Sequence, residues 1–164
     1  MKYSAHVAPD RGEDEVLHLL FAVMGVMRAH FEDVVASFDL TPPQAHALRL
    51  LEPDEPVPMR ELAGALHCDA SNITGIVDRL ERRGLVERQT SAVDRRVKTL
   101  VVTDEGRALR DALFTRLADG APPAVALTAR ERSSLAALLA KVAAVGPVPD
   151  DTWINPVLPR TRQR

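Results

Sequence analysis

The stretch from Asp69 to Val102, DASNITGIVDRLERRGLVERQTSAVDRRVKTLVV, constrains the fold more than any other part of the chain. Ile73, Ile76, Val77 and Leu80 recur at three- and four-residue spacing, which places them on one face of a helix. Asp69 or Ser71 can cap that helix. Gly84 ends it after Arg82 and Arg83, whose charges suit the negative end of a helix dipole. Leu85 to Gln89 and Val97 to Val102 read as strands, joined by the polar run Thr90 to Arg96. A helix followed at once by a hairpin with a basic tip suits a DNA duplex. The helix can enter a major groove while the hairpin reaches phosphates or the neighbouring minor groove.

The rest of the chain is helical by the same criteria. Val16, Leu20, Val23, Met24, Met27, Phe31, Val34, Val35 and Phe38 mark a long amphipathic helix from about Glu13 to Ser37. Thr41-Pro42-Pro43-Gln44 opens a second helix with a capping box and proline in the first turn; it runs through Leu51. A short helix, Met59 to Leu66, buries Leu62, Ala63 and Leu66. Thr103 caps a further helix to about Asp119, and Gly120 to Pro123 breaks it. Thr128 and Glu131 form a second capping box and open a last helix to about Val145. The Pro-rich tail from Pro147 onward has little pattern.

At 164 residues the chain reads as one domain with extensions. Its net charge of −2 does not advertise nucleic-acid binding, but the charge is unevenly spread. Met1 to Pro56 carries four Lys/Arg against ten Asp/Glu; Val57 to Lys98 carries eight against six; the remainder carries nine against seven. The basic balance begins with the helix-and-hairpin segment, and its small size implies modest sequence-independent affinity. A single cysteine, Cys68, excludes an intramolecular disulfide. The polar start from Met1 to Arg11 does not read as a signal peptide, and no apolar run is long enough to span a bilayer. The expectation is a soluble, cytoplasmic protein with no membrane partner.

LRLLEP, MRELAGALHCDASNITGIVDRLERRGLVER and DRRVKTLVVTDEGRAL follow one another in that order, and with them the chain resembles the MarR family of bacterial transcriptional regulators. The resemblance runs from about Val16 to Val145. It implies a mainly α fold with a small β-hairpin wing: a winged helix-turn-helix between N- and C-terminal dimerisation helices. Residues 13–38 and 104–146 would dimerise, and residues 41–103 would bind DNA. Residues 1–12 would be a polar extension and residues 147–164 a tail. It further implies a homodimer on a pseudo-palindromic double-stranded DNA operator, acting as a repressor or an activator, with a small aromatic or phenolic effector near the junction of the two parts. Two positions depart from the family pattern. Gly75 follows Thr74 where a larger or basic residue is common, and Pro58 stands where Ser or Thr often begins the helix.

Candidate base-reading residues lie opposite the apolar face of the Asp69–Gly84 helix: Ser71, Gly75, Arg79 and Arg82, with Asn72 and Thr74 at the edges. Asn pairs with adenine, Ser and Thr hydroxyls bond several base edges, and Arg reaches guanine or phosphate. Gly75 lets the backbone come close to the groove. Asp78 shares this face and reads as the orienter of a neighbouring Arg. In the hairpin, Arg96 resembles the family's minor-groove arginine, braced directly or through the loop by an Asp94 salt bridge, while Arg95 and Lys98 face phosphates. Thr41, Gln44 and Arg60 stand near helix starts, where backbone N–H groups can hold phosphates, although capping also accounts for Thr41 and Gln44. The alternative for all of these is a solvated polar surface, in a winged helix that binds proteins.

Met24, Met27, Arg28, Phe31 and His46 could line an effector pocket, with Arg28 suited to a carboxylate or phenolate; core and interface packing also accounts for the apolar members. Cys68 lacks a resolving partner and reads as a small residue in a turn. The five histidines form no close ligand pair, so no metal is expected. Ser133-Ser134 has no nearby base, and no phosphate-binding loop or carboxylate pair stands out, so neither an enzyme nor a cofactor is expected.

Overall fold

The computed structural model describes residues 11–53, 55–91 and 94–145; the expectations for residues 1–10 and for the tail lie outside the described residues. The elements are α1 (Arg11–Ser37), α2 (Pro42–Leu50), β1 (Val57–Pro58), α3 (Met59–Ala65), α4 (Ala70–Arg82), β2 (Val86–Thr90), β3 (Lys98–Val102), α5 (Asp104–Asp119), α6 (Pro122–Ala126) and α7 (Ala129–Ala143). The three strands form one antiparallel sheet in the order β1-β3-β2, with Val86 opposite Val102 and Thr90 opposite Lys98.

Two elements go beyond the sequence reading. Val57 and Pro58 pair with Leu100 and Thr99, so the hairpin is the larger part of a three-stranded sheet. Gly120 does end α5, but Pro122 and Pro123 then start the short helix α6, since proline in a first turn lacks only an N–H that has no helical partner.

The core is built from faces of α1 to α5, β2 and β3. Val34 and Val35 of α1, Ala47 and Leu48 of α2, Leu62 of α3, Ile73, Val77 and Leu80 of α4, Leu100 and Val102 of β3, and Leu113 and Leu117 of α5 are buried together. Both ends of α4 are fixed locally. The Asp69 carboxylate accepts the Asn72 N–H at 2.9 Å. At the other end Gly84 takes φ +69°, a conformation glycine adopts without strain. Its N–H donates to the Glu81 carbonyl at 2.8 Å and that of Leu85 to the Leu80 carbonyl at 3.0 Å, a Schellman closure that turns the chain directly into β2. Gly106 sits in the first turn of α5 so close to the sheet that a Cβ there would lie 2.0 Å from the Leu85 carbonyl oxygen.

A long apolar surface is left uncovered. On α1 it comprises Val16, Leu17, Leu19, Phe21, Val23, Met24 and Val26; on α7 it comprises Leu135, Leu138, Leu139 and Val142. No residue of α7 is buried. The N-terminal half of the α1 stripe read from the sequence therefore faces outward, and only its C-terminal end enters the core.

Candidate nucleic-acid interface

The exposed face of α4 carries Ser71, Asn72, Thr74, Gly75, Arg79 and Arg82. Much of its hydrogen-bonding capacity is spent within the helix. The Ser71 hydroxyl donates to Asp69 at 2.7 Å, the Thr74 hydroxyl to the Ala70 carbonyl at 2.7 Å, and Arg82 Nε to the Asp78 carbonyl at 3.2 Å. Asp69, not Ser71, is thus the cap. The Ser71 hydroxyl and the Asn72 N–H hold its carboxyl below the usual carboxylate range. A Cβ at Gly75 would meet nothing within 4 Å, so the fold of this chain does not require glycine there. Arg79 is exposed, and among the described residues nothing pairs with its side chain.

Arg88, which the sequence reading passed over, ties this helix to the hairpin. Val86 is buried, Glu87 exposed and Arg88 half-buried, the alternation of a strand, and Arg88 turns its guanidinium toward α4. Nη2 donates to Asp78 Oδ1 at 2.5 Å, Nη1 donates to Glu81, and the Arg88 N–H meets Glu81 Oε1 at 3.3 Å. The arginine oriented by Asp78 therefore belongs to β2 and not to α4. The two-residue spacing of Arg88 from the apolar Val86, which puts both on one side of a strand, was the signal that could have found it.

At the hairpin tip the Arg96 N–H donates to Asp94 Oδ1 at 2.9 Å, and the Val97 N–H to the Asp94 carbonyl at 2.9 Å. Asp94 braces Arg96 through the backbone, an Asx-type turn, and not through the expected salt bridge, which leaves the guanidinium exposed. Lys98 Nζ donates to Thr90 directly across the ladder at 2.9 Å.

These elements enclose a groove of about 560 Å³. Pro58, Met59 and Arg60 contribute from the start of α3, Thr74 and Asp78 from α4, Arg88 from β2, and Arg96, Val97 and Lys98 from the hairpin. Of the sequence candidates, Arg60, Thr74, Arg96 and Lys98 meet here. Thr41 and Gln44 do not: Gln44 is buried, and its Oε1 accepts the Thr41 N–H at 2.7 Å in capping α2.

Two of the five effector candidates, Phe31 and His46, are in contact: their rings meet with centroids 5.0 Å apart, in the junction of α1 and α2. Burial, and then the neighbouring Arg49, lower the His46 pKa to about 4, so its ring is neutral at pH 7. Met27 is half-buried nearby, whereas Met24 and Arg28 are exposed, with Arg28 paired to Glu32 at 3.2 Å. Burial and then Asp69 push the Cys68 thiol up, which disfavours a reactive thiolate. Among the described residues no group of three or more His, Cys, Asp or Glu could hold a metal ion, and no helix is long and apolar enough to cross a membrane.

Comparison with known proteins supplies the context. Residues 40–98 match the model of the MarR family. The chain is 27% identical over 99 residues to the organic hydroperoxide resistance transcriptional regulator of Bacillus subtilis, covering 60% of this chain and 67% of that one. It superposes on the crystal structure of YusO from Bacillus subtilis with a TM-score of 0.73 and 26% identity, over 85% of this chain and 99% of YusO. A point mutant of MepR from S. aureus, solved bound to an oligodeoxyribonucleotide, shares the fold at a TM-score of 0.64 and 23% identity, over 79% and 96% of the two chains.

Proposed function

We propose that the chain, whose residues 40–98 match the MarR family model, is a cytoplasmic, homodimeric transcriptional regulator of that family that reads a pseudo-palindromic operator, acts as a repressor and answers to a small aromatic or phenolic ligand. It carries out no catalysis of its own. The observation that carries the reading is the convergence of Arg60, Arg96 and Lys98, from α3, the hairpin tip and β3, on a groove beside the exposed face of α4. In the mechanism, α4 enters the major groove. Arg96 reaches the adjacent minor groove, where a planar guanidinium meets the concentrated negative potential of A·T-rich DNA, and Lys98 and Arg60 meet phosphates. Arg95, beside Arg96 on the exposed tip, also faces phosphate.

The uncovered apolar faces of α1 and α7 support the dimer, because a surface of that extent is otherwise an aggregation hazard. Two-fold symmetry then sets the recognition helices about one helical turn of DNA apart, roughly 34–36 Å. The junction holding Phe31 and His46 lies where α1 meets the reading lobe, so a ligand there that favours another spacing would release DNA.

Selection of duplexes from a randomised pool, followed by a salt titration, tests this. An enriched inverted repeat, bound much more tightly than random duplexes and with affinity falling steeply in salt, is the expected result. Absence of any enriched sequence would overturn it in favour of a winged helix that binds proteins.

A further inference from the structure

An acid on a DNA-facing surface opposes binding, since it repels phosphates and cancels part of the attraction of its basic neighbours. Among the described residues lining the groove Asp78 is the one acid, in the company of Arg60, Arg96 and Lys98. It stands one turn beyond Thr74 on the face of α4 that carries Ser71 and Gly75. Its carboxylate is held, not free: Arg88 Nη2 takes Oδ1 at 2.5 Å, while the other arm of the same guanidinium takes Glu81. The Asp78 side chain is still 48% exposed, and among the described residues nothing donates to Oδ2. One oxygen is anchored and the second is presented.

We infer that Asp78 is a specificity-determining residue that accepts the N4 amino hydrogen of a cytosine in the major groove, with Arg88 as the positioning residue that aims it. A carboxylate can only accept. It is therefore incompatible with the guanine N7 and O6 acceptors and with thymine O4. Adenine offers N6–H but sets the N7 acceptor beside it, whereas cytosine offers N4–H with no acceptor on its major-groove edge. The inference rests on the proposed reading of DNA by α4.

The test uses the full chain and a duplex enriched from a randomised pool, with its cytosines replaced one at a time by N4-methylcytosine. That base still pairs with guanine, but its methyl replaces the N4 hydrogen facing the major groove. Binding is followed by fluorescence anisotropy at fixed salt. One cytosine in each half-site is expected to weaken wild-type binding about fivefold or more on methylation. Asp78→Ala should be indifferent to that methylation and bind random duplexes more tightly than the wild type. Glu81→Ala, which removes the other partner of Arg88 but no groove-lining group, should keep the sensitivity. A wild type indifferent to methylation at every cytosine, a result that needs no variant to fold, overturns the inference, as does Asp78→Ala retaining the effect. Failure to enrich any duplex sinks the DNA reading and this inference together. An enriched duplex bound specifically but indifferent to N4-methylation sinks the role of Asp78 alone.

Discussion

Arg96 sits in a turn whose backbone is fixed by Asp94 and whose side chain is left exposed, so its loss would remove the proposed DNA contact without disturbing the fold. Arg96→Ala is expected to weaken operator binding more than about tenfold in a mobility-shift titration, with an unchanged thermal melt. Unchanged binding would refute the assignment. His46 makes a prediction of another kind. Its folded pKa of about 4 lies below the unfolded value of 6.5, so between those values the unfolded chain takes up the extra proton. The contribution of His46 to stability is therefore complete above pH 6.5 and is lost as pH falls toward 4, by up to about 3 kcal/mol. Urea melts at pH 7 and pH 4.5 should show this loss, and His46→Gln should flatten it. An acid limb equally steep in the variant would place the titration elsewhere.

At the level of elements, what the sequence disclosed and what it hid divide by distance along the chain. The boundaries of α4 and α5 were legible because Asp69, Thr103 and Gly84 act on backbone groups a few residues away. The exposed face of α4 was legible for the same reason, since helical phase is a local property. β1 was not: two residues carry no periodicity, and Val57 and Pro58 become a strand only by pairing with Leu100 and Thr99. Nor was the tie between α4 and β2, because Arg88 meets Asp78 and Glu81 only after the Gly84 turn has folded the strand back along the helix. Likewise Asp94 could be seen as the brace of Arg96, but whether it bonded side chain or backbone depended on the turn it formed. Arg88→Met should leave two carboxylates of α4 uncompensated beside the groove. Operator affinity is then expected to fall about tenfold or more, with a melting temperature lowered by only a few degrees, because this pair is partly exposed. Equal affinity would mean that the helix and hairpin keep their relation without it.

Across the whole molecule, the reading lobe is well packed while α7 and the N-terminal half of α1 bury almost nothing. Leu138→Glu combined with Leu139→Glu is expected to convert a dimer to a monomer in sedimentation velocity at micromolar concentration, and to weaken operator binding at least about tenfold. A variant that sediments as the wild type would move the interface elsewhere. The bareness of α7 has a consequence for gene dosage. If α7 finds its cover on another copy, as in the proposed homodimer, the protein reads DNA in proportion to how often two copies meet. When the protein is scarce, the operator-competent form rises as the square of synthesis, so halving expression leaves about a quarter of it. For the proposed repressor the cell would then feel this helix as a threshold, with promoters closing over a narrow range of the regulator's own abundance.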